Sequence, residues 1–199
     1  MKRFTAAAIA FIIAATPLIG CNKTNKISKK VNSKTAEERQ EETFEEAFTS
    51  MFNSTYTENG AEMCLAYMYP KIVLDHLRSD GRYTDVVKLF NNAQNSTVKN
   101  MKNKPEITNI NETIKMTDSQ LEAASRYFVL ESAEDPFLVG LDPRGISVTE
   151  GYEIHCELID QNGNPDTDNN ECVVYIENDG WKVISVSAAK LEAAYPAES

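Results

Sequence analysis

The sequence predicts an α+β fold, with helices in the amino-terminal half and an antiparallel sheet in the last third. Near the start, apolar residues such as Phe44, Phe48 and Met51 recur at helical spacing. Near the end, apolar side chains at positions 152, 154, 156 and 158 alternate with polar ones, as in a half-buried strand. The dipeptide Asp179-Gly180 is a strong hairpin signal between two further strands.

Three helical stretches precede the first predicted strand. Thr35 and the glutamates after it provide a polar cap and acids at a helix start, where negative charge is favoured. A second apolar stretch covers residues 61–78, and Pro70 must kink or divide it. Ser79-Asp80-Gly81 interrupts the pattern, and a third helix begins near Tyr83.

The second half combines one more helix with four predicted strands. Residues 106–116 are rich in β-branched side chains and predict the first strand. Thr117 and Gln120 then match a capping box that opens a helix. Three strands follow near the end, and a two-residue loop at Asp179-Gly180 would place Glu177 opposite Lys182.

The first 20 residues have the plan of a secretory signal peptide. Lys2 and Arg3 precede an apolar run at residues 6–15, and Leu18-Ile19-Gly20-Cys21 closes the segment. The run is about half as long as the roughly 20 apolar residues that a membrane-spanning helix needs. We therefore expect residues 1–20 to be cleaved.

Leu18-Ile19-Gly20-Cys21 resembles the lipobox of bacterial lipoproteins. The resemblance implies cleavage before Cys21, a diacylglyceryl thioether on its sulfur and usually a third acyl chain, so that fatty acids such as palmitate anchor the chain in a membrane. Two or more acyl chains give stable anchoring. Asn22 is not aspartate, which by the same resemblance implies the outer membrane if the cell is Gram-negative.

Charge divides the remaining chain into a basic tether at residues 21–35 and one acidic domain at residues 36–199. The tether has five lysines and no acid, and lacks periodicity. From residue 35 onward 13 basic residues stand against 30 acidic ones. Because phosphate backbones bind through lysine and arginine, a nucleic-acid partner is excluded. The length suits one domain.

The order of elements and the ending Gly180-Trp181-Lys182-Val183-Ile184 resemble the cystatin-like cone of the nuclear transport factor two superfamily, in the form found in small bacterial lipoproteins of unknown function. The resemblance implies amino-terminal helices packed on a curved antiparallel sheet, a three-stranded meander at the end, and a pocket between. The fold hosts enzymes and noncatalytic binders, so it does not choose a function. Four tyrosines could line the pocket or fill the core: Tyr67, Tyr69, Tyr152 and Tyr175.

Three cysteines remain besides Cys21 in an exported, oxidising compartment. If Cys156 faces Cys172, then Ile154 faces Val174, and one register satisfies both the apolar face and a disulfide. We therefore predict a Cys156–Cys172 bridge, with two buried thiols as the alternative. Cys64 lies on an apolar helix face and is interpreted as a core residue.

The acidic loop at residues 160–171 echoes the spacing of an EF-hand calcium loop, in which oxygen ligands surround a hard cation. Pro165 replaces the glycine of that loop, and the flanks are predicted strands. These departures favour an exposed acidic hairpin loop over a calcium loop. The calcium hypothesis uses Asp160, Asn162, Asn164, Asp166, Asp168 and Glu171.

No catalytic motif is evident, since His76 and His155 lack the neighbours of a zinc site or a triad. Three interpretations follow. The first is a noncatalytic, membrane-anchored module that binds a small apolar ligand or an envelope protein and needs no cofactor. The second is an isomerase-like or hydrolase-like enzyme, whose sign would be a buried carboxylate of raised pKa opposite a tyrosine hydroxyl. The third is a calcium-binding surface protein.

Overall fold

The computed structural model describes residues 42–134 and 145–196. The predicted signal peptide, the lipidated Cys21 and the tether at residues 21–35 lie outside the described residues. The helices are α1 Phe44–Thr55, α2 Ala61–Met68, α3 Lys71–Ser79, α4 Tyr83–Asn100, α5 Asp118–Glu134 and α6 Ala188–Ala194. The strands are β1 Glu106–Lys115, β2 Val148–Ile159, β3 Pro165–Ile176 and β4 Gly180–Ile184.

The four strands form one antiparallel sheet in the order β1-β2-β3-β4. Strands β2, β3 and β4 follow one another as a meander, while α5 separates β1 from β2 in sequence. The predicted α+β fold, with its helices first and a three-stranded meander at the end, is confirmed.

Helices cover both faces of the sheet. On one face, α1 packs Phe48 and Met51 against Ile154 of β2 and Val173 of β3. On the other face, α5 and α6 pack against residues that include Val174. Strand β3 is therefore buried on both sides in its second half, which explains its continuous apolar run. A third cluster joins α2, α3 and α4 away from the sheet.

Local sequence signals set several element boundaries. Pro70 divides the predicted second helix into α2 and α3, because its ring fixes φ and its nitrogen has no proton to donate. Gln120 Oε1 accepts from the Thr117 N–H at 3.0 Å, and the Gln120 N–H donates to the Thr117 hydroxyl at 3.4 Å. The capping box predicted at the start of α5 is confirmed.

The predicted register between β2 and β3 is wrong. Cys156 lies opposite Asn169, and Cys172 lies opposite Glu153, three positions away from the expected pairing. Because side chains alternate between faces along a strand, Cys156 belongs to the α1 side and Cys172 to the α5 side. Both are free thiols, and a bridge between them would require a different strand pairing.

The predicted register of the last hairpin is also wrong. Residues 177–179 form a three-residue turn, in which Asn178 adopts a left-handed φ of 63°. Lys182 therefore lies opposite Val174 and not opposite Glu177. The ammonium group of Lys182 pairs with Asp179 Oδ1 at 2.6 Å, and the Lys182 side chain is almost completely buried.

Candidate functional site

An open groove of about 470 Å³ runs between α1 and the start of α2. Positions 46, 50 and 53 follow helical spacing, so they share one stripe on the outer side of α1, and Thr57 lies just beyond its end. Phe48 and Met51 face the sheet from the same helix. The amphipathic pattern of α1 thus supplies a core face and a groove wall. The groove is lined by Glu45, Glu46, Thr49, Ser50, Asn53, Ser54, Thr57, Gly60 and Met63.

Amide side chains of α4 hold the loop at the end of this groove. Asn95 Oδ1 accepts from the Asn59 N–H at 3.0 Å, and Asn91 Oδ1 accepts from the Ala61 N–H at 3.1 Å. Gly60 sits in the same loop, where a Cβ atom would lie 2.2 Å from a carbonyl oxygen of α1. These contacts fix the angle between α1 and α2, and with it the width of the groove.

A buried carboxylate, Glu42, ties the start of α1 to the rest of the core. The Tyr67 hydroxyl donates to Glu42 Oε2 at 2.8 Å, and the Ser50 hydroxyl donates to Oε1 at 3.1 Å. The indole nitrogen of Trp181 donates to the Glu42 backbone carbonyl at 2.8 Å. Sequence reasoning missed Glu42, because a single glutamate before an amphipathic helix is an ordinary surface pattern.

The four tyrosines for which pocket and core positions were both predicted alternatives are absent from the groove lining. Tyr67 is completely buried. Tyr152 stacks on Phe44 with ring centroids 4.1 Å apart, and Tyr175 meets the Trp181 ring edge-on at 5.1 Å. Tyr69 packs against the helical cluster. Aromatic rings therefore fill the space between α1 and the sheet where the cone pocket was expected.

Among the described acidic residues, Glu171 has the most strongly shifted pKa. Burial raises its pKa to about 7, while a hydrogen bond with Ser185 acts in the opposite direction. Glu171 lies opposite Ile154 on β2, so its side chain is on the α1 side of the sheet. The pKa of Tyr56, the residue that follows α1, is raised first by burial and then by the charge of Glu171.

Glu171 and Tyr56 thus partly match the sign expected of an enzyme. A carboxyl group with a pKa near 7 can take up and release protons at neutral pH. Neither residue lines the groove, however.

The acidic loop is a tight turn closed by its own side chains. Asp160 Oδ1 accepts from the N–H groups of Asn162 and Asn164, both at 2.8 Å. These backbone hydrogen bonds, led by that from Asn164, lower the pKa of the Asp160 carboxyl. Gly163 supplies the left-handed φ of 87° that the turn requires. Both carboxylate oxygens of Asp160, one of the proposed calcium ligands, already accept hydrogen bonds within the turn.

The other three proposed calcium ligands lie on β3. Asp166 and Glu171 are five residues apart on this strand, a separation of roughly 17 Å at 3.4 Å per residue. Calcium ligands lie about 2.3 to 2.6 Å from the ion, so the six residues do not converge on one site. Across residues 42–134 and 145–196, no group of three or more histidine, cysteine or acidic residues has the geometry of a metal site.

The remaining candidates are buried thiols and surface ion pairs. Burial raises the pKa of Cys64, and it raises those of Cys156 and Cys172 to about 11 and about 12. Protonated thiols are poor nucleophiles at neutral pH. His155 Nε2 lies 3.3 Å from Glu153, and His76 pairs with an aspartate on its own helical turn. Among the described residues, these contacts of His76 and His155 form neither a catalytic triad nor a metal site.

No family model matches the chain, and no curated protein or solved structure gives a significant match. Within the described part of the chain, no helix has both the length and the apolar composition needed to cross a bilayer.

Proposed function

We propose that this protein is a bacterial lipoprotein, anchored outside the cytoplasm through acylated Cys21, whose domain is a noncatalytic module. In this proposal the α1–α2 groove binds a basic peptide segment of another envelope protein. The lipobox-like motif and the lysine-rich tether support the proposed location at a membrane outside the cytoplasm. The open groove is the observation that carries the binding role.

The two acidic residues of the groove favour a positively charged occupant, while most of the lining surface is apolar. Glu45 and Glu46 are both lining residues, as are Thr49 and Ser50. The Glu46 carboxylate also accepts from the Thr43 N–H at 2.9 Å in the capping box. Lysine or arginine can meet these carboxylates while the groove stays open to water, so neither partner has to be fully desolvated. The strongly acidic composition from residue 35 onward would also steer basic partners toward the domain.

The packed interior favours a protein partner over a small apolar ligand as the molecule that this domain binds. A ligand of that kind requires a concave, mostly enclosed site. Tyr152, Phe44 and Trp181 instead occupy the space between α1 and the sheet. The enzyme alternative would use Glu171, which does not line the groove. Binding at the surface of α1 is the function that the geometry supports best.

A matched pair of substitutions tests the groove. Asn53 lies in the groove and is exposed, while Asn92 is exposed on α4, outside it. Asn53→Trp fills the groove, and Asn92→Trp adds the same bulk elsewhere. With a tetralysine peptide, we expect amide chemical-shift changes at positions 45–57 in the wild type and in Asn92→Trp, and their loss in Asn53→Trp. Equal responses in both variants, or equal responses to tetraglutamate, would refute the proposal.

The anchor has its own test. A cell that expresses the full chain should incorporate labelled palmitate into it, and Cys21→Ala should abolish that incorporation because the acceptor sulfur is gone. Cys64→Ala is the matched control, since Cys64 is buried and should leave labelling unchanged. Continued labelling of the Cys21→Ala chain would contradict lipidation at this residue.

A further inference from the structure

Sulfur-containing side chains are concentrated between α1 and α2, next to the groove. Of the six methionines in the chain, Met51, Met63 and Met68 lie on these two helices. Cys64 belongs to the same region and is 1% exposed. Met63 and Ser54 line the groove, and the hydroxyl oxygen of Thr55, the residue after Ser54, lies 3.6 Å from Cys64 Sγ. The buried thiol therefore lies close to the wall of the groove.

A series of contacts through one hydroxyl group and one thiol links three of the sulfur atoms. Cys64 Sγ lies 3.4 Å from Met68 Sδ. The Thr55 hydroxyl oxygen lies 3.6 Å from Cys64 Sγ and 3.7 Å from Met51 Sδ. Helix α1 supplies Met51 and Thr55, and helix α2 supplies Cys64 and Met68, so packing of the two helices forms the cluster.

We propose that Met51, Cys64 and Met68 form a binding site for a single Cu(I) ion. Thiolate and thioether sulfurs are the soft ligands that select Cu(I) over harder cations. Two sulfurs that each bind one metal at about 2.3 Å, as in zinc–thiolate sites, stand about 4.0 Å apart when three ligands surround the ion in a plane. The observed 3.4 Å between Cys64 and Met68 needs only a small opening to reach that separation.

Charge balance also favours a monovalent ion. Binding breaks the S–H bond of Cys64, forms a bond between sulfur and copper, and releases one proton to solvent, with no change in oxidation state. The thiolate then neutralises the single positive charge of Cu(I). A divalent ion would leave one uncompensated charge among buried apolar side chains, which is costly.

The test measures Cu(I) binding by the full chain with Cys21 replaced by alanine, so that this cysteine does not contribute. Cu(I) is supplied anaerobically with ascorbate, in competition with a chromophoric Cu(I) chelator. We expect one ion per chain, one proton released per ion, and affinity that increases with pH because the Cys64 thiol must ionise. Cys64→Ser should abolish binding, and Met68→Leu should weaken it at least tenfold.

Two controls separate this site from binding elsewhere. Met116→Leu changes a methionine that is 4% exposed in the α5-side cluster, and Cys172→Ser changes a thiol on that same side. Both should leave the affinity unchanged. If Cys64→Ser does not fold, the comparison of Met68→Leu with Met116→Leu decides the question. Stoichiometric binding that survives Cys64→Ser, or equal affinities for the two leucine variants, would overturn the proposal. Peptide binding in the groove is a separate measurement and can fail independently.

Discussion

Glu171 should make the stability of the domain fall as pH rises from weakly acidic to neutral. Its pKa is raised from 4.5 to about 7 by burial. Each unit of difference corresponds to about 1.4 kcal/mol, so the whole shift corresponds to about 3 kcal/mol. Below pH 4.5 the carboxyl is protonated in both the folded and the unfolded chain, and it makes no difference to stability.

The sign follows from which state retains the proton. Between pH 4.5 and about 7 the unfolded chain releases it while the folded chain keeps it. The unfolded state is then favoured progressively, and the full loss is reached above the folded pKa. Other ionisable groups also change the stability of the domain in this pH range. The contribution of Glu171 must therefore be isolated by comparison with a variant.

Glu171→Gln provides that comparison, because the amide has nearly the shape of the protonated acid and does not ionise. We expect urea unfolding to give similar free energies for the two proteins at about pH 4. At about pH 8 the variant should be more stable by about 3 kcal/mol. Glu177→Gln, at an exposed turn position, is the matched control and should show no such pH-dependent difference. If the difference in the free energy of unfolding between the wild type and Glu171→Gln does not change with pH across this range, the reasoning is refuted.

Three further substitutions test contacts that hold the groove and the sheet. Gly60→Ala should cost about 1 to 3 kcal/mol by thermal unfolding, because its Cβ would clash with a backbone oxygen; an unchanged melting temperature would contradict this. Asp179→Ala should cost about 3 to 5 kcal/mol by urea unfolding, since it removes the carboxylate paired with buried Lys182; a loss below 1 kcal/mol would count against the ion pair. Thr43→Ala should cost about 1 kcal/mol by removing the α1 capping box, visible as earlier loss of helical circular dichroism, whereas Thr43→Ser should retain the cap.

The register error between β2 and β3 shows where sequence reasoning failed. Alternating apolar residues allowed Cys156 to face Cys172, and the spacing of acidic residues in the loop did not define where its turn lies. Asn162-Gly163 in that loop is itself a hairpin signal, and the tight turn from Asp160 to Asn164 sets the pairing of the strands. Turn geometry therefore decides the register, because a short loop leaves the strands no freedom to slide.

The sequence by itself determined the structural features that depend on residues close together in the chain. Pro70 divides two helices through its own ring, and Thr117 with Gln120 opens α5 through hydrogen bonds three residues apart. The alternation in the last third of the chain was sufficient to predict a meander. These features need no knowledge of distant contacts.

Only the tertiary structure decided where space remains in the molecule. Tyr152 is 108 residues from Phe44, yet their rings stack and help to fill the gap between α1 and the sheet. The groove consequently lies on the outer side of α1, next to α2. The same packing brings Met51 and Cys64 to one hydroxyl group. Cavities and ligand sets arise from residues far apart in sequence, and local patterns do not specify how those residues meet.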